Sequence, residues 1–104
     1  WAFKTQPGMG IYSIAKAGVI MLTRVLAREL GPNVRANAIA PGLVKTDFSS
    51  PWKNPEMLEQ IEVSLPLKRI AEPEDLVNYA LFLASPASSY MTGNVFILDG
   101  GSLA

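Results

Sequence analysis

The sequence predicts an α/β fold built around a parallel sheet, and three observations predict it. A long helical pattern runs from Tyr12 to Leu30. Two short apolar runs, Val34–Ala40 and Asn94–Leu98, lack the clean alternation of a half-exposed strand and suit strands covered on both faces. Between those runs lie two further helical patterns, and a strand, a helical crossover and a second strand make a right-handed parallel unit. Two strands alone are not a stable sheet, so these elements predict part of a larger one.

Residues 1–11 contain Pro7, Gly8 and Gly10 and read as a loop leading into the first helix. On a helical wheel, Arg24 and Arg28 group with Ser13, while Val19, Leu22, Leu26 and Leu30 take a second direction and Ile14, Met21 and Val25 a third. A helix apolar around most of its circumference is buried on more than one side, here against a sheet and against another subunit. Gly31 and Pro32 predict its end, by a glycine just past the last turn and a proline beyond it. Pro41 and Gly42 close the first strand, and Leu43 to Ser50 continue as a loop at its carboxyl end, where open α/β sheets bind ligands.

Asn54 and Pro55 are a cap and first-turn signal for a short helix with Leu58, Ile61 and Leu65 on one face and Glu56, Glu59 and Glu62 outside. Pro73 opens a further helix, with Glu74 and Asp75 in the turn where the helix dipole favours anions and a buried stripe of Leu76, Val77, Ala80, Leu83 and Ala84. Pro86 ends it, and Asp99-Gly100-Gly101 stops the second strand, with Asp99 expected to be a turn residue.

Composition narrows the chemistry. The 104 residues carry nine basic and nine acidic side chains in no runs, which predicts neither a nucleic-acid partner nor a basic membrane face. There is no cysteine and no histidine, so no disulfide, thiol nucleophile or imidazole base is available and no metal site is expected. Although 49% of residues are hydrophobic, no run approaches the roughly 20 residues needed to cross a bilayer. The opening WAFKTQPG lacks the regions of a signal peptide, which makes the cytoplasm the expected location.

Acid–base chemistry must then use Tyr, Lys, Asp or Glu, and Tyr12 and Lys16 stand one helical turn apart. A cation about 4 Å from a phenolate, at an effective dielectric of about 20, is worth roughly 4 kcal/mol, which moves a phenol toward exchanging its proton near neutral pH. That spacing also arises by chance, so its weight comes from the surrounding motifs.

Those motifs resemble the C-terminal part of the short-chain dehydrogenase/reductase family along essentially the whole chain. YSIAK (12–16) is similar to the family's Tyr-x-x-x-Lys, and NAIAPGLVKT (37–46) to its Asn-x-x-x-Pro-Gly-x-x-x-Thr stretch. The run from Lys68 to Gly101 resembles its C-terminal signature, closing Asp-Gly-Gly included. Residues 22–48 are similar to carbonyl reductase-like and 3-oxoacyl-carrier-protein reductase-like members. The resemblance implies the C-terminal part of a Rossmann-like doubly wound parallel sheet, with residues 1–104 belonging to one NAD(P)-binding domain and residues 48–67 at the place of its substrate flap.

The resemblance further implies that Tyr12 is the general acid/base of a carbonyl/alcohol interconversion, that Lys16 lowers its pKa and holds the nicotinamide ribose, and that both Tyr12 and Lys16 bind the cofactor. Pro41 and Gly42 would line the nicotinamide pocket, Val44 would bond the carboxamide through its backbone, and Thr46 would reach the cofactor's amide or phosphate. The cofactor would be NAD or NADP, the substrate a small carbonyl or alcohol, with a mild preference for a hydrophobic one from Phe48, Trp52, Met57 and Leu58. The family's glycine-rich pyrophosphate loop, and the serine and asparagine that accompany its tyrosine, have no counterpart in these residues. The 104 residues alone are therefore expected to be inactive. A non-catalytic association module is the alternative, and a homodimer or homotetramer is expected in either case.

Overall fold

The computed structural model describes residues 10–45 and 54–104, the side chain of Tyr12 excepted. The elements run α1 (Gly10–Leu30), β1 (Ala38–Pro41), α2 (Pro55–Ser64), α3 (Pro73–Ala84), a 3-10 turn at Pro86–Ser88, and β2 (Val95–Leu98). β1 and β2 pair in parallel, with Ala38 opposite Val95 and Pro41 opposite Leu98. The two patterns between the strands thus fold as the crossover.

Each helix boundary has a local cause. Asn54 caps α2 by accepting from the amides of Glu56 (3.1 Å) and Met57 (3.3 Å), with Pro55 in the first turn where its missing N–H costs nothing. Pro73 does the same for α3, where the Asp75 carboxylate accepts from the Glu72 amide at 2.8 Å. α1 ends at Leu30 as expected, with Gly31 just past the last turn and Pro32 beyond it. Gly31 keeps an ordinary φ rather than the left-handed one of a glycine stop, and its N–H still bonds the Ala27 carbonyl at 3.3 Å. Pro32, which has no N–H to offer Arg28, is what interrupts the ladder.

β1 is also shorter than the apolar run and begins at Ala38 rather than Val34. The preceding residues bond elsewhere: the Ala36 amide donates to Thr92 Oγ1 (3.0 Å), and Asn37 Nδ2 to the Met91 carbonyl (2.9 Å). Asn37 Oδ1 accepts from the Asn94 amide at 3.2 Å. At the other end Pro41 remains in register, and the ladder runs one step further through the Gly42 amide to the Leu98 carbonyl (2.9 Å).

Arg35 fastens this edge to the rest of the chain. Its Nη1 donates to the Ser88 carbonyl (2.9 Å), Ser88 Oγ (3.0 Å) and the Met91 carbonyl (3.2 Å). Its Nη2 reaches the carbonyls of Leu83 (3.1 Å) and Ser85 (3.3 Å), at the end of α3 where the helix dipole favours a cation.

Asp75 accepts from both terminal nitrogens of Arg69, at 2.7 and 2.9 Å. The Arg69 hydrogen bond first, and then the Glu72 amide, hold its carboxyl at about 2 against an ordinary 3.8. A depressed carboxyl stabilises the fold above its unfolded pKa and loses that contribution as pH falls through the folded value. Acid titrations followed by circular dichroism should therefore show Asp75→Asn flattening the decline in stability between about pH 4 and pH 2.

The described residues leave much apolar surface open. Leu65 and Ile70, 1% exposed in the second case, are the buried apolar residues among them. On α1, Ile14 is 74% exposed, Leu22 54% and Val25 40%, while Ser13, grouped with the arginines on the wheel, is buried with its hydroxyl unpaired. The residues of α3 read as a buried stripe are half covered at Leu76 and Leu83 but exposed at Val77 and Ala80. Apolar periodicity along α1 and α3 therefore does not coincide with burial among the described residues.

Candidate active site

A cleft runs between the first half of α1 and the sheet, lined by Lys16, Val19 and Ile20 on one side and by β1 from Ala38 through Gly42, with Val95, Ile97 and Asp99, on the other. Lys16 is thereby brought to the same cavity as Pro41 and Gly42. The Tyr12 backbone lies one turn before Lys16 on α1, while its phenol and all of Thr46 lie outside the described residues. The start of the expected flap, residues 48–53 with Phe48 and Trp52, is likewise outside them, whereas α2 and the residues to Leu67 are inside.

Gly42 passes very close to the second strand's end. A Cβ there would stand 3.0 Å from both Cα and Cβ of Asp99, tighter than side chains normally approach. Asp99 in turn is committed to its own turn, as expected. Its Oδ1 accepts from the Gly101 amide (2.9 Å) and its Oδ2 from the Ser102 hydroxyl (3.0 Å) and the Leu103 amide (3.1 Å). Burial pushes this carboxyl up, but those three hydrogen bonds outweigh it and hold it below the usual carboxylate range. It is an ionised anchor rather than a proton carrier.

Two residues beyond Gly42, Val44 pairs with Ala71 as an isolated parallel bridge. The two bonds of that bridge are made by its neighbours, Lys45 N–H to the Ala71 carbonyl (2.9 Å) and Ala71 N–H to the Leu43 carbonyl (3.2 Å). The amide and carbonyl of Val44 take no part and point to the opposite side, because backbone groups alternate along an extended segment. Val44 does not line the cleft itself.

Three features went unread in the sequence. The contacts of Arg35 had one signal, a lone cation inside an apolar strand-like run. Lys45, which pairs with Glu62 and Glu72, had none. The Gly42–Asp99 approach had only the glycine itself. Among the described residues no group of acidic side chains could hold a metal ion, and no helix is long and apolar enough to cross a membrane.

With this geometry in hand, comparison with known proteins is informative. A family profile described as Enoyl-(Acyl carrier protein) reductase matches residues 2–102. The human dehydrogenase/reductase SDR family member 4 is 41% identical over 103 residues, covering 97% of this chain and 37% of the relative. The 3-oxoacyl-[acyl-carrier-protein] reductase of Thermotoga maritima is 45% identical over 98 residues, covering 92% of this chain and 39% of that protein. Among solved structures, 4-hydroxyisoleucine dehydrogenase complexed with NADH superposes with a TM-score of 0.89 at 29% identity, covering 97% of this chain and 42% of that one. The fold is accordingly that of the Rossmann-like sheet to which these structures belong. The chain spans about two fifths of the length of the proteins it matches. Profile, sequence relatives and fold agree on one assignment: this chain belongs to the short-chain dehydrogenase/reductase family.

Proposed function

We propose that these residues form the C-terminal part of a single NAD(P)-dependent oxidoreductase domain that interconverts a carbonyl and an alcohol. The observation that carries the reading is the cleft between α1 and the sheet that Lys16 shares with Pro41 and Gly42, one helical turn from Tyr12. The residues present suit the nicotinamide end of the cofactor. An uncommitted amide and carbonyl at Val44 match the donor and acceptor of a carboxamide, and Lys16 supplies the donor for a ribose hydroxyl. Thr46 follows Val44 closely enough to add a hydroxyl to the same ligand.

When bound, the nicotinamide supplies the hydride, or accepts it in reverse. Tyr12 gives the proton that the carbonyl oxygen needs as hydride reaches its carbon, so the product is a neutral alcohol. Lys16 favours the phenolate left behind and so makes the proton transfer possible near neutral pH. Binding the pyrophosphate needs a glycine-rich turn that these 104 residues do not contain, so by themselves they do not turn over.

A second reading has its own observation: Ile14, Leu22 and Val25 stand open on α1. Covering what is still exposed of such side chains is worth about 1–2 kcal/mol each, which favours association with the remainder of the fold and with a second copy. The proposed protein is therefore a cytoplasmic homodimer or homotetramer, and association without catalysis is the alternative for the isolated chain. Steady-state assays of NADH and NADPH oxidation against short and long ketones test the enzyme reading. It fails if the protein carrying these residues oxidises neither nucleotide with any carbonyl.

A further inference from the structure

Lys45 does more than follow Val44 in the chain. Its Nζ lies 3.7 Å from Glu62 Oε1, in the last turn of α2, and 3.3 Å from Glu72 Oε1, the residue that precedes α3. Its backbone amide is at the same time one of the two bonds of the Val44–Ala71 bridge. One residue thus ties three pieces together: the segment carrying Val44, the end of α2 and the start of α3. The end of α2 is held as well by the Lys68 ammonium, which donates to the Val63 carbonyl at 2.7 Å, and by the Leu67 amide on the Gly100 carbonyl at 3.1 Å. Its last turn closes through the Leu65 amide on the Glu62 carbonyl, and Leu65 and Ile70 bury just beyond. All three charged groups are partly exposed, with side chains 38%, 31% and 52% accessible, so each contact is weak alone and the lysine works by meeting two carboxylates at once.

We infer that Lys45 is a positioning residue, fastening the base of α2 to the segment that presents the Val44 backbone. The inference rests on the nicotinamide reading for its functional consequence, but the fastening itself does not. Loosening it frees α2, in the stretch matched to the substrate flap, without touching the acid–base groups. Substrate binding then suffers while the chemical step does not.

Hydrogen exchange of the α2 and 43–45 amides, measured without nucleotide on the whole protein that carries these residues, tests the fastening. Lys45→Met should speed exchange about two- to five-fold, the size exposed ion pairs allow. Lys45→Arg should restore it, and Glu62→Gln should add little once Lys45 is gone, because the pair acts as one unit. Kinetics on the same variants should show KM rising by a similar factor with kcat unchanged. Wild-type exchange in Lys45→Met, fully additive effects with Glu62→Gln, or a fall in kcat at constant KM would each overturn the inference. Failure of the nicotinamide reading would show separately, as absence of nucleotide binding by the unaltered protein.

Discussion

Replacing Tyr12 by Phe lowers the rate of carbonyl reduction about 10²- to 10⁴-fold in the intact protein, the span that a positioned general acid contributes. The ring remains and only the hydroxyl is lost, so nucleotide affinity should fall far less than the rate. Lys16→Met should behave differently. It removes both the charge that favours the phenolate and a donor to the ribose, so nucleotide affinity falls together with kcat. Measuring kcat and nucleotide Kd for the two variants separates the roles. Near-wild-type turnover in Tyr12→Phe would remove Tyr12 from the mechanism.

Arg35→Ala produces the largest loss of stability expected of any single substitution described. Its guanidinium makes five hydrogen bonds to the 83–91 segment, four of them to carbonyls. A hydrogen bond to a charged group contributes roughly 1.5–3 kcal/mol, and acceptors left unpaired add to the loss, so about 3 kcal/mol or more is expected. Arg35→Lys keeps the charge but not the two-nitrogen fork that reaches Leu83 and Ser88 together, and should recover less than half of it. Urea unfolding of the intact protein gives both values. A midpoint unchanged in Arg35→Ala would show the contacts to be replaceable by water.

What the sequence made legible follows from range. α3 was readable to the residue, Pro73 to Ala84, because proline at its start and Pro86 beyond its end act on the nearest turn. α2 was equally plain from Asn54 and Pro55. The start of β1 was not, because Arg35, Ala36 and Asn37 take partners on the distant 83–94 segment, and nothing near them in sequence announces it. The end of α1 was legible from Gly31 and Pro32, although Gly31 keeps an ordinary φ and the proline is what interrupts the ladder.

The site divides in the same way. Tyr12 and Lys16 could be placed together by helical spacing, and Pro41, Gly42, Val44 and Thr46 by their resemblance to a known pattern. No spacing rule links Lys16 to Gly42; the return of the chain from α1 into β1 and the packing of α1 on that strand bring them to one cleft. Lys45 was hidden because both its carboxylate partners come from other elements. The apolar stripes of α1 and α3 were visible, yet they stay largely exposed among the described residues.

The most direct test of the central claim is a titration of NADH and NADPH into the purified protein, its intact mass known, followed by nucleotide fluorescence and sedimentation. Saturable binding of one nucleotide, weakened by Lys16→Met and retained in Tyr12→Phe, is the expected result for a protein larger than these 104 residues. Folding that depends on protein concentration, with neither nucleotide bound, would contradict it and leave an association module in its place.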